Sequence, residues 1–158
     1  MKITILSLAL MLVGLILVLT SIGPKRVEQS YYYLATITHQ FKYRGFSSTL
    51  LNLVNEHRNQ KGLREIEMNY RFCQYGYERA KEVVLNWSHD GFDRDDVCQE
   101  CKNVGENLSR KKMDPHVIFE AWLNSPSHRA LIEGNYSFGC VGVYSDKDNF
   151  ITALEVGV

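Results

Sequence analysis

The chain has no surplus of charge. Its 158 residues carry 18 Lys and Arg against 18 Asp and Glu. Lys2, Lys25 and Arg26 are the only charged side chains among the first 26 residues, so the remainder holds 15 basic and 18 acidic groups, a net of −3. Nothing in that balance points to nucleic acid or heparin, which want a dense basic face, and no nucleic-acid partner is expected. Charge is missing altogether from Ile3 to Ile22, a run of twenty residues. Internal repeats and low-complexity tracts are absent. The acidic stretch from Asp90 to Glu100 lacks the alternating ligand spacing of a calcium loop and reads as a solvated loop. A second CxxC to complement Cys98-x-x-Cys101 is missing too, so a complete four-cysteine zinc site is not encoded.

What is present divides the chain in three. The uncharged run is long enough to cross a bilayer as a helix and longer than a signal-peptide core of roughly 7–15 residues. Cleavage after the small pair Ser21 and Gly23 would place Pro24 directly behind the cut. Residues 1–23 are therefore expected to be an uncleaved transmembrane signal anchor with the following domain outside the cell; cleavage would make the protein secreted. Residues 24–46 form a juxtamembrane linker rich in aromatics, namely Tyr31, Tyr32, Tyr33, Phe41, Tyr43 and Phe46. It has two readings, a position at the membrane interface, which favours Tyr, and packing back onto the domain. Residues 47–158 are long enough for one domain with a modest core.

The four cysteines are Cys73, Cys98, Cys101 and Cys140. Outside the cell an even number favours disulfides, with three possible pairings. The CxxC pair has two other readings, half of a zinc site and a redox motif, although it lacks the strand-then-helix setting of redox motifs.

Within the domain, Leu50, Leu53, Val54 and His57 recur at helical spacing after Ser47-Ser48, and Gly62 ends that helix. A second helix is expected over about 69–85, with Phe72, Cys73, Tyr77, Ala80, Val83 and Val84 on its apolar side and Gly76 as a weak point. Asp114-Pro115 is a cap followed by proline at the first helical position, and Ser125-Pro126 repeats the device. Phe138 to Tyr144 and Phe150 to Val158 read as a closing hairpin around Ser145-Asp146-Lys147-Asp148. Helices first and strands last indicate an α+β layered domain.

Two imidazoles and a carboxylate carry the chemistry. His128 is the third residue of the short helix opened by Pro126, where the helix amino terminus keeps an imidazole neutral and able to bind a metal. His89 follows the extended piece Trp87-Ser88-His89 at the mouth of a loop. Glu106 follows Gly105, where a backbone can turn sharply; a carboxylate there can orient a histidine or act as general base. His57 and Trp122 read as structural.

From Leu50 to Val158 the chain resembles the CAP superfamily (SCP domain) in its compact prokaryotic form. The matching pieces are Leu53-Val54-Asn55-Glu56-His57-Arg58 with Gly62-Leu63, then Ser88-His89, Gly105-Glu106-Asn107-Leu108, Ala121-Trp122-Leu123-Asn124-Ser125-Pro126-Ser127-His128-Arg129, and Phe138-Gly139-Cys140-Val141-Gly142-Val143. The resemblance implies a three-layer α-β-α sandwich with a broad cleft. It makes His89 and His128 the metal-holding histidines, with Zn²⁺ or another divalent cation, and Glu106 the carboxylate beside them and the catalytic candidate. A second cleft glutamate of larger relatives falls on Ser125 here. Cys140 stands where relatives often carry a cysteine and is the first to be paired. The expected function is a membrane-anchored extracytoplasmic ligand-binding or cell-surface interaction module. Its cleft takes a small-molecule, lipid or protein ligand. The alternatives are a zinc-dependent, peptidase-like hydrolase and a structural surface module; an enzyme ranks second because the cluster is short of a full catalytic set.

Overall fold

A computed structural model describes residue 38 and residues 41–158. The expected anchor over 1–23, and Tyr31, Tyr32 and Tyr33 of the linker, lie outside the described residues. Helix α1 spans Arg44–Gln60, followed by strand β1, Glu67–Met68, helix α2, Tyr70–Glu82, and a short helix α3, Arg94–Cys98. Strand β2, Val104–Arg110, leads to helices α4, Pro115–Leu123, and α5, Pro126–Ile132, and the chain closes with β3, Phe138–Ser145, and β4, Phe150–Gly157. The strands form one mixed sheet in the order β1-β3-β4-β2. Only β1 and β3 run parallel; β3 with β4 and β2 with β4 are antiparallel.

Helices cover both faces of this sheet. Because side chains alternate along a strand, Phe150, Leu154 and Val156 of β4 join one apolar cluster with α1, α4 and α5, including Leu50, Val54, Ile118, Trp122 and Ile132. Ile151 and Ala153 point the other way, onto Ala80 of α2, Val83 and Leu108. All eight residues of β4 are buried, and double coverage removes the apolar–polar alternation by which a half-exposed strand is recognised.

Helix α1 begins three residues before the expected Ser47-Ser48 start. Ser48 and Thr49 donate their hydroxyls to the Gly45 carbonyl, inside the helix. The earlier start comes from Tyr43 and Phe46, whose rings meet Phe150 edge-on at 5.6 and 5.2 Å. This end of the linker therefore packs on the domain, while Phe41 is exposed. At the other end Gly62, at φ +70°, takes the left-handed conformation that closes a helix, and Leu63 N–H donates back to the Arg58 carbonyl. Arg58 itself is buried and donates to the carbonyls of Arg64, Ile132, Gly134 and Tyr136. That clamp fixes the carboxyl end of α5 against α1.

Three expectations along the middle of the chain are corrected. Helix α2 stops at Glu82, because Val84 and Leu85 turn with tighter i→i+3 bonds. The segment read as a solvated loop contains α3, whose Val97 is fully buried with Phe72, Cys101 and Cys140; one apolar residue among acids was enough to anchor it. Gly105 does not turn the chain. It lies in β2, where a side chain would run into Leu131 and the Tyr136 hydroxyl. Gly76 is likewise a close approach: an added Cβ would stand 3.0 Å from the Gly142 amide of β3. Helix α2 lies directly on the sheet there.

Cys73 pairs with Cys140, tying α2 to β3, and Cys98 with Cys101, closing the end of α3. All four sulfurs are thus in disulfides, not in a zinc half-site. The first bridge closes a sequence separation of 67 and the second one of 3. Loop-closure entropy then assigns about 4 kcal/mol to the first and about 2 kcal/mol to the second. Urea denaturation of Cys73→Ser/Cys140→Ser is expected to show roughly twice the destabilisation of Cys98→Ser/Cys101→Ser.

Candidate functional site

The site is built outward from a buried ion pair. Arg79 on α2 and Glu106 on β2 are both withdrawn from solvent, their side chains 2 % and 1 % exposed. Arg79 Nε donates to Glu106 Oε2 at 2.8 Å and Nη2 to Oε1 at 3.1 Å, a two-pronged pairing. Its Nη1 donates to Glu82 Oε2 at 2.6 Å, and Nη2 also reaches the Ser88 carbonyl at 3.2 Å. Burial opposes the guanidinium charge, but hydrogen bonds and charge from Glu106 and Glu82 outweigh it and hold Arg79 above the usual arginine range. The contact with Ser88 fixes the loop that follows α2, and His89 is the next residue. One cation therefore positions both the carboxylate and the histidine beside it.

His89 Nδ1 and Glu106 Oε1 stand 2.8 Å apart. An ionised carboxylate only accepts, so His89 donates through Nδ1. Its ring is 58 % exposed, which leaves Nε2 directed away from the pair. The expected contact of His89 with Glu106 is thus present.

His128 is reached from the opposite side of β2. Asn107, the next residue after Glu106, donates its amide to the His128 carbonyl at 3.0 Å. The Asn107 side chain is therefore committed inside the protein, although it lies in an Asn-x-Ser sequence. His128 Nδ1 meets Ser125 Oγ at 2.7 Å. Ser125 was expected to cap α5 with that oxygen; it makes no side-chain cap and orients the histidine instead. Burial first, and then the charge of His89, hold the His128 imidazole below the usual histidine range. The ring is neutral at pH 7, as expected, through burial and its neighbour. Among the described residues no group of three or more His, Cys, Asp or Glu is arranged to hold a metal ion.

Trp122 is buried, as expected, and donates its indole N–H to the Leu108 carbonyl, fastening α4 to β2. His57 bonds Glu133 at 2.9 Å, in the structural role expected of it. Arg79, Glu82 and Glu155 were not singled out from the sequence. Arg79 has a legible signal, because it falls at helical spacing between Tyr77 and Ala80 on the apolar side of α2 and so must be buried or must kink away.

Removing one partner of a buried pair leaves the other charge stranded. Arg79→Met and Glu106→Gln are each expected to cost about 3–5 kcal/mol, and the double substitution less than their sum. Urea titrations of the three variants check this; additive costs would show that the pair is not coupled.

A family model described as CAP, the cysteine-rich secretory protein family, matches residues 51–154. Among solved structures, an extracellular protein containing an SCP domain from Bacillus anthracis matches with a TM-score of 0.63 at 21 % identity, over 72 % of this chain and 40 % of that one. An outer surface protein of Borrelia burgdorferi matches with a TM-score of 0.59 at 20 % identity, over 70 % of this chain and 90 % of that one. The venom allergen-like protein 4 of Schistosoma mansoni matches with a TM-score of 0.58 at 13 % identity, over 70 % and 86 %. These likenesses concern the fold. No curated protein matches by sequence. The mixed sheet, the helices on its two faces and the match over residues 51–154 together establish that this chain belongs to the CAP family of cysteine-rich secretory proteins.

Proposed function

We propose that the protein is an extracytoplasmic CAP-domain binding module whose cleft takes a divalent cation, Zn²⁺ being the best match, through His89 and His128. The observation that carries this reading is that each imidazole has its Nδ1 occupied, by Glu106 and by Ser125. Each is then left with Nε2 as the metal-facing nitrogen. A histidine whose far nitrogen donates to a carboxylate is the usual arrangement behind a metal ligand, and the neutral state of His128 suits it for coordination. When bound, the cation supplies a Lewis-acidic point for an anionic or carbonyl group of the ligand; the chain's own residues fix the two rings and exclude water from the Arg79–Glu106 pair beneath them.

Binding is favoured over hydrolysis. Both Glu106 oxygens are already engaged by Arg79 and His89, so this carboxylate is committed to orienting the ring and pairing the guanidinium. Two protein ligands are also fewer than the three usual in catalytic zinc sites. Two disulfides suit an oxidising compartment, and the uncharged run from Ile3 to Ile22 supports anchoring in a membrane with the domain outside.

Titration of the protein with Zn²⁺ by calorimetry tests the reading. His89→Ala and His128→Ala are each expected to abolish measurable binding, and Glu106→Gln to weaken it by about 10-fold or more. Binding unchanged by both histidine substitutions would refute a shared site. Retained Zn²⁺ binding with turnover of a peptide or ester substrate would establish the hydrolase instead.

A further inference from the structure

Glu155 is a carboxyl group of the described sheet whose chemistry contradicts its surroundings. It lies in the middle of β4, between Leu154 and Val156, and is fully buried. Neither of its carboxyl oxygens has a conventional hydrogen-bond donor. Its cross-strand partner in β2 is Glu106, and residues directly opposite in an antiparallel pair have Cβ atoms about 4.5–5.5 Å apart on the same face of the sheet. Two carboxyl groups thus share one dry compartment.

The groups facing Glu155 are few. From α2 come Arg79, Tyr75 and the backbone at Gly76, where an added Cβ would stand 3.2 Å from Glu155 Cγ. From β2 comes Glu106, and from β3 its register partner Cys140, which is locked in a disulfide and does not titrate. Arg79 is the sole cation among them, and its bonds go to Glu106, Glu82 and the Ser88 carbonyl. Nothing remains to balance a charge on Glu155.

We propose that Glu155 is a positioning residue of the site: it carries a proton and shares it with Glu106, fixing the Glu106 carboxylate against Arg79 and His89. A proton between the two groups turns an acceptor–acceptor contact into a hydrogen bond. It also keeps the compartment at one anion against one guanidinium. Burial first, then the charge of Glu106 and hydrogen bonding with it, push the Glu155 carboxyl well above the usual carboxylate range, in accord with that arrangement. The inference rests on reading His89 and Glu106 as parts of one site, but no metal is needed to test it.

The sign of the pH effect follows. A carboxyl whose folded-state value is raised stabilises the fold most below its unfolded value, about 4.3 for Glu, and loses that contribution as pH rises. Glu155→Gln is neutral at every pH and keeps a donor for Glu106. It is therefore expected to unfold at higher urea concentration than the parent at pH 7, with the gap closing towards pH 4.

Infrared difference spectra of the 158-residue chain give the direct readout. The expected result is a protonated-carboxyl band at pH 7 that is absent in Glu155→Gln. The His89 Nδ1–H proton resonance should be unmoved in Glu155→Gln and displaced downfield in Glu155→Leu, which has no donor to share Glu106. No protonated-carboxyl band removed by Glu155→Gln at pH 7 would overturn the shared proton. An unmoved His89 resonance in Glu155→Leu would overturn the positioning role, leaving Glu155 a structural residue. Zn²⁺ binding enters none of these readouts, so loss of the metal reading alone leaves them standing.

Discussion

The Arg79–Glu106 pair is the constraint around which the candidate site is arranged. It joins α2, on one face of the sheet, to β2 at the sheet's edge. An ionised arginine and an ionised carboxylate are costly to withdraw from water, and their attraction offsets the cost only with full hydrogen bonding. Here the pairing is two-pronged, and the remaining donors of Arg79 go to Glu82 and to the Ser88 carbonyl. The same cation therefore satisfies the ion pair and sets the backbone next to His89.

The two histidines are held by different means. His89 is exposed and depends on Glu106 for its orientation; His128 is buried more deeply, hydrogen-bonded to Ser125 and attached through its carbonyl to Asn107. Glu106 and Asn107 are neighbours on β2 and point to opposite faces. A single strand thereby contacts both histidines, the ring of His89 and the backbone of His128. The Arg58 clamp on Ile132 and Gly134 and the Trp122 bond to Leu108 keep α4 and α5 in place around that strand.

Much of this was legible in the sequence, for reasons that differ by element. The cap at Asp114, the helix opened by Pro126, the closing hairpin and the helix ended by Gly62 rest on local chemistry, and local chemistry survives folding. Strand β2 was not legible, because burial on both faces erased its alternation and Gly105 resembled a turn. Helix α3 was hidden by its acidic composition, with Val97 its one buried apolar side chain. The roles of His89, His128 and Glu106 were drawn from their residue types and from a family resemblance. Arg79, which holds them, carries no motif, and its partner lies 27 positions away. Glu155 carries a signal in the sequence, a lone acid inside an apolar strand.

The central claim is that Glu106 fixes the His89 ring through Nδ1, leaving Nε2 directed away from the pair. Long-range proton–nitrogen NMR of the 158-residue chain at pH 7 tests it without any added ligand, by showing which ring nitrogen carries the proton. The account predicts a proton on His89 Nδ1, hydrogen-bonded to Glu106. A His89 ring with no proton on Nδ1 would contradict it.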